Sequence, residues 1–172
     1  MILKMSDFKY AIRPAEEEDL PILMDLIKQL AVYEKLMDIY TATEELYRRY
    51  GFGTEAIFEA LLVENKSYEG PEYLGMALYY YTYSTFTGRP TLYLEDIFVI
   101  EEYRGRGIGT KILVELAKIA IEKGCGRMEW IVLDWNEPSI EFYKSIGAFP
   151  LDEWTVFRML PSEIKELAEM EV

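Results

Sequence analysis

Apolar residues recur along the chain with two periods, one near two residues and one near 3.6. Residues 9–13 (KYAIR) alternate and predict a short strand. After Pro14 and the acidic run at 16–19, Leu20, Leu23, Leu26, Ile27, Leu30 and Ala31 recur at helical spacing. The acidic residues ahead of that run suit the positive end of a helix dipole. Thr43-Ala-Thr-Glu-Glu-Leu-Tyr predicts a second, shorter helix, ended by Gly51-Phe-Gly53. Residues 57–64, 73–83 and 91–100 predict neighbouring antiparallel strands, joined by loops at 66–70 and 84–90. A helix over 108–123 turns Ile108, Ile112, Leu116 and Ile119 to one face. A strand at 127–134 and a helix at 137–146, with Pro138 in its first turn, come next. A strand at 154–160 and a helix at 161–170 end the pattern. The order β-α-α-β-β-β-α-β-α-β-α predicts a mixed α/β domain with a mostly antiparallel central sheet flanked by helices.

No repeat or linker interrupts the pattern, so residues 1–172 are expected to form one domain. No apolar run approaches the roughly 20 residues that span a bilayer. The first ten residues lack a long apolar centre and a small-residue cleavage site. A cytoplasmic protein without a membrane partner is expected.

Composition then removes chemistries. The chain has no histidine and one cysteine, Cys125. That excludes a Ser-His-Asp triad, a Cys-His pair, a His-ligated metal and an intrachain disulfide. No metal is expected. Acid–base work falls to carboxylates, tyrosine, lysine, a terminus or water. The formal net charge of −13 disfavours a nucleic-acid partner and suits a cationic one. Solubility alone also accounts for such a charge.

One stretch carries a sharper signal. In Tyr93-LEDIFVIEEYRGRGIGTKI-Leu113 a strand pattern passes through an Arg/Gly cluster into a helix pattern. Gly105, Gly107 and Gly109 alternate there. A helix N-terminus offers unpaired N–H groups, and glycines admit a ligand close to the backbone. With Arg104 and Arg106 nearby, the combination favours a phosphate or pyrophosphate. Thr110 breaks the dinucleotide fingerprint G-x-G-x-x-G, and the spacing does not match the nucleotide P-loop. A plain strand-to-helix turn is the alternative.

YRGRGIG resembles the R/Q-x-x-G-x-G/A pyrophosphate loop of the GNAT N-acetyltransferases, with Arg104, Gly107 and Gly109 at the matched positions. The element order is similar to the GNAT fold. IRPAEEEDL, LIKQLAVYEK, YLEDIFV and LDWNEPSIEFYKSIGA further resemble the spermidine/spermine N1-acetyltransferase branch and its thialysine N-epsilon-acetyltransferase relatives. The resemblance covers about residues 11–157. It implies an enzyme that moves an acetyl group from acetyl-CoA to a primary amine of a small cationic acceptor, within a ternary complex. A homodimer is the family's usual state. Acetylation of a protein or peptide, and an acyl-CoA-binding sensor without catalysis, are the competing readings.

The resemblance also assigns residues. Ile97, Phe98 and Val99 would meet the pantetheine arm through their backbone. Gly105 through Thr110, with Arg106 and Ile108 among them, would hold the pyrophosphate. Asn136, Glu137, Pro138 and Ser139 would line the cofactor's other side. Glu95 would accept the amine proton through water, and Tyr143 would protonate the leaving thiolate. A phenol near pKa 10 can protonate a thiolate near 8.5 only modestly uphill, so that duty is feasible. Asp96 is the weaker candidate for base, because adjacent strand residues point to opposite faces and at most one of the pair should face a given site. Tyr33, Glu34, Glu95, Glu129, Trp130, Ile131 and Glu153 would contact the amine. Ser84 and Phe86 stand where the polyamine enzyme has Asp and Trp, which favours a shorter amine over spermine. Cys125, with no histidine to activate it, is expected to be structural.

Overall fold

The computed structural model describes residues 8–67 and 69–171. Its chain divides into two compact units, one ending at Ile131 and one beginning at Val132. In the first unit β1 (Tyr10–Pro14), β2 (Glu59–Asn65), β3 (Tyr73–Ser84), β4 (Arg89–Val99) and β5 (Arg127–Glu129) form one sheet in the order β1-β2-β3-β4-β5. The first four strands are antiparallel neighbours and β5 runs parallel to β4. The mixed, mostly antiparallel sheet expected from the sequence is present. No helix of the described residues is long and apolar enough to cross a membrane.

Helix α1 (Leu20–Tyr33) buries the stripe that its spacing predicts. Leu23, Leu26, Ile27 and Leu30 pack with Ala60, Leu62, Met76, Leu78 and Phe98 of the sheet. Leu61, Val63, Ala77, Leu92 and Leu94 are also buried, but alternation points them to the opposite face. Helix α3 (Ile108–Glu122) contacts β4 and β5 and buries Ile108, Ile112, Leu113, Leu116 and Ala120. The sheet thus buries apolar side chains on both of its faces. At the entrance to α1, Arg13 donates to both Asp19 oxygens at 2.5 and 2.7 Å and to Glu64 at 2.8 Å. Hydrogen bonding from Arg13 holds the Asp19 carboxyl below its ordinary range.

Helix α2 (Glu44–Tyr47) is capped by the Thr43 hydroxyl, which accepts from the Leu46 N–H at 3.3 Å. The helical stretch ends at Gly51-Phe-Gly53, as the pattern suggests, but its last part is not α-helical. A wider π-type turn continues through Phe52 and closes when the Gly53 N–H reaches the Arg48 carbonyl at 2.9 Å.

The second unit holds α4 (Glu137–Ser145) and α5 (Pro161–Ala168), both with proline in the first turn. Two expected strands are corrected here. Residues 127–134 form a ladder only over Arg127–Glu129, because β5 has partners on β4 only at Thr91, Leu92 and Tyr93. Residues 154–160 form no strand among the described residues, and Trp154, Val156 and Phe157 are exposed. Alternation alone supplies no ladder; a strand needs a paired edge.

Candidate active site

The site begins with a local irregularity in β4. Ala77 pairs with Ile97 and Leu78 with Asp96, but Tyr79 pairs with Leu94. Glu95 is therefore an extra residue on β4, opposite no residue of β3. Such a bulge suspends alternation for one step. Beyond it Asp96 lies on the face of Leu78 and Phe98, the face covered by α1. Glu95 lies on that face too, because it accepts a hydrogen bond at 3.3 Å from the hydroxyl of Tyr80, which shares the parity of Leu78. The expectation that the two carboxylates point apart is thus corrected: the bulge turns both to one side.

Their surroundings differ. Glu95 is exposed, while Asp96 is partly buried. Burial, then the charges of Glu95 and Glu34, push the Asp96 carboxyl up to about 7. Glu34 caps the C-terminus of α1 and is itself raised by burial. Tyr47 of α2 is pushed up to about 12 by burial and by Tyr40 and Asp96. Tyr80 reaches about 12 through burial and the charges of Glu95 and Tyr93, and its ring lies 5.1 Å from that of Tyr93. Neither phenol ionises near neutral pH, so both serve as hydrogen-bonding or packing groups there.

Just before the bulge, β4 loses its second neighbour. Ladder pairing with β5 stops at Tyr93 and Glu129, leaving the β4 edge over 94–99 without a strand partner on that side among the described residues. An unpaired edge presents backbone N–H and C=O groups to a ligand. Ile97, Phe98 and Val99 lie along it. Glu129, the last residue of β5, is half-buried and paired with Arg127 at 2.9 Å. Trp130 is half-buried beyond the strand end and Ile131 is exposed.

Downstream, residues 101–103 make a single turn and α3 starts at Ile108. Gly105 and Gly107 have φ of 72° and 79°, and a Cβ at either would meet nothing within 4 Å. The glycines thus answer a left-handed backbone, and they leave the space in front of it open. The first helical bond runs from the Lys111 N–H to the Gly107 carbonyl at 3.0 Å. The N–H groups of Ile108, Gly109 and Thr110 precede it and have no helical acceptor. This cradle of N–H groups, with the dipole of a 15-residue helix behind it, suits a pyrophosphate. Both arginines of the loop engage aromatic rings. Arg104 lies over Tyr33 at 4.5 Å and Phe98 at 5.6 Å. Arg106 lies over Tyr103 at 4.9 Å and Phe8 at 5.1 Å.

Residues 30–148 match the acetyltransferase (GNAT) family. The chain belongs to that family. It is 43% identical over 164 residues to a thialysine N-epsilon-acetyltransferase of Bos taurus, covering 91% of this chain and 96% of the relative. It is 38% identical to spermidine/spermine N(1)-acetyltransferase-like protein 1 of Homo sapiens, covering 92% of this chain and 24% of that longer protein. The solved structure of an aminoglycoside N-acetyltransferase, AAC(6')-Iy, in complex with CoA shares the fold, with a TM-score of 0.71 and 17% identity over 92% of this chain and 99% of that one. The GNAT chain described here is accordingly an acetyltransferase.

Its first unit brings Tyr33, Glu34, Glu95, Asp96, the open β4 edge and the glycine cradle onto one framework. Glu129, Trp130 and Ile131 also belong to the first unit, and the anticipated residues from Asn136 onward lie in the second. There Asn136 is buried, and its carbonyl accepts from the N–H groups of Ser139 and Ile140 at 3.1 Å each, starting α4. Glu137 and Pro138 form the first turn of α4 and are exposed. Tyr143 is half-buried on α4 with its ring 5.4 Å from Phe142, and Glu153 is exposed. Tyr80, Tyr93 and Tyr47 did not stand out in the sequence. The adjacent acids Glu95 and Asp96, inside an otherwise apolar strand, were the available sign of a bulge.

Proposed function

We propose that this GNAT acetyltransferase moves the acetyl group of acetyl-CoA to a primary amine of a small cationic acceptor, a diamine or a thialysine-like amine, by direct attack in a ternary complex. One observation carries the reading: the β4 bulge gathers Glu95 and Asp96 on one face beside Glu34. Carboxylates gathered there suit an ammonium group, and the aromatic rings around them suit its aliphatic stem. The single-domain organisation over residues 1–172, homodimer assembly and a cytoplasmic setting belong to the same reading.

The residues fit the donor. The N–H groups at 108–110 and the left-handed Gly105 and Gly107 would hold the pyrophosphate, and the backbone of Ile97, Phe98 and Val99 the pantetheine arm. By the family resemblance, Asn136, Glu137, Pro138 and Ser139 would also contact the cofactor. Bound acetyl-CoA supplies a thioester carbonyl as electrophile.

An alkylamine near pKa 10.4 is an ammonium at neutral pH, and losing its proton costs roughly 4–5 kcal/mol at pH 7. Glu95, exposed and without histidine to share the task, accepts that proton through water. A carboxylate also stabilises the ammonium, so relay to solvent is the more favourable route. Tyr33, Glu34, Glu129, Trp130, Ile131 and Glu153 contact the acceptor. The neutral amine then forms its bond to the carbonyl carbon as the C–S bond breaks, and the second proton released from its nitrogen leaves to solvent. Tyr143 gives its phenolic proton to the departing thiolate.

The test is CoA thiol release against thialysine, lysine, diaminopropane, putrescine, spermidine, spermine and a short lysine peptide. Release with a free amine is expected. Release with the peptide alone would move the acceptor to proteins, and acetyl-CoA binding without release to any acceptor would sink the reading.

A further inference from the structure

The side chain of Arg104 is committed to two elements other than the loop that carries it. Its Nε donates to the carbonyl of Val99, the last residue of β4, at 2.8 Å. Its guanidinium carbon lies 4.5 Å from the centre of the Tyr33 ring and 5.6 Å from that of Phe98. Tyr33 is the last residue of α1, and Glu34 is its C-cap. Lys35 follows with a φ of 61°, a left-handed turn that carries the chain away. One guanidinium therefore ties the end of β4 to the end of α1. A guanidinium lying over a ring favours that arrangement electrostatically, and the Nε bond fixes the direction from which it approaches.

We infer that Arg104 is a positioning residue for the acceptor pocket, acting through the Tyr33 ring, while the grip on the cofactor's pyrophosphate comes from the loop's backbone. This rests on the reading above that Tyr33 and Glu34 face the amine. Two contrasts support it. Gly105 and Gly107 keep their surroundings open on the loop itself. Arg104 instead spends its Nε donor on Val99 and its π face on the rings of α1 and β4. Removing the guanidinium would free the Tyr33–Glu34 end of α1 and leave the cradle at 105–110 intact. The two ends of the reaction, donor loop and acceptor wall, would then be linked by this side chain.

Titration calorimetry separates the roles. Acetyl-CoA is titrated into the free enzyme; thialysine and 1,3-diaminopropane are titrated into enzyme loaded with CoA. Arg104→Gln is expected to weaken amine binding about three- to tenfold, the scale of one cation–π contact, and to change acetyl-CoA binding by less than about twofold. Tyr33→Leu should weaken the amine similarly, and Tyr33→Phe, which keeps the ring face, should recover most of that loss. The double variant Arg104→Gln/Tyr33→Leu should bind the amine no worse than the weaker single variant. Weakened acetyl-CoA binding with unchanged amine binding would overturn the inference, as would additive losses in the double variant or failure of both amines to bind the wild type. Amine binding without acetyl transfer would sink the proposed reaction and leave the Arg104 result readable; transfer with an Arg104 effect on acetyl-CoA alone would do the reverse.

Discussion

The bulge in β4 and the glycine turn into α3 handle charge in opposite ways, although only a few residues separate them. At the bulge, side chains do the work. Glu95, Asp96 and Glu34 are carboxylates set for a cation, and burial raises two of them. In the turn, the backbone does the work. Left-handed glycines and unpaired N–H groups suit an anion, while the arginines lie over aromatic rings. A backbone cradle must be written as a motif, because only glycine tolerates its dihedral angles cheaply. A side-chain site set by a bulge leaves no such signature, because any sequence of strand formers can hold it.

The difference can be broken from either side. The largest effect is expected at the acidic end, where Glu95→Gln should lower kcat/KM about 10²-fold, the low end for loss of a general base, with acetyl-CoA affinity unchanged. Steady-state kinetics with the preferred amine checks this, and retained activity would remove Glu95 from the proton path.

Asp96→Asn follows. The wild-type carboxyl moves from an ordinary 3.8 to about 7 on folding, so the fold favours its protonated form. That contribution to stability is fully present below about pH 4 and is lost as pH rises through 7. The uncharged Asp96→Asn variant should therefore melt progressively higher than wild type between pH 4 and 7, by on the order of 2–4 kcal/mol above pH 7. Melting curves across that range decide it; a constant offset would mean that Asp96 titrates normally.

At the anionic end, Gly107→Val forces a β-branched residue to a φ of 79°. Acetyl-CoA should bind roughly tenfold more weakly, matching a strain of about 1–2 kcal/mol, while amine binding to the acidic face persists. Equal loss of both by calorimetry would show that the loop acts on the whole fold. The smallest effect is expected from Glu34→Gln. Removing one neighbouring charge should lower the Asp96 midpoint below about 7, by an amount that carbon-detected titration would resolve.

Much of the framework was legible. The α1 stripe, the antiparallel strands around β3 and the turn into α3 follow from periodicity and glycine spacing. The alternation rule itself misled at Glu95 and Asp96, because one inserted residue reverses a strand's faces and only the two adjacent acids hint at the insertion. It also overreached at 130–134 and 154–160, where an alternating pattern has no ladder to join. YRGRGIG marked the cradle, but the commitment of Arg104 to Tyr33 depends on a contact between residues far apart in the chain, which spacing cannot reveal.

The most direct measurement is the carbon-13 titration of the Asp96 side-chain carboxyl in the folded chain, assigned through the Asp96→Asn variant. A midpoint near 7, moving down in Glu95→Gln, is expected if the bulge holds both carboxylates on one desolvated face. A midpoint near 4 that ignores Glu95→Gln would contradict it and return the two side chains to opposite faces of the strand.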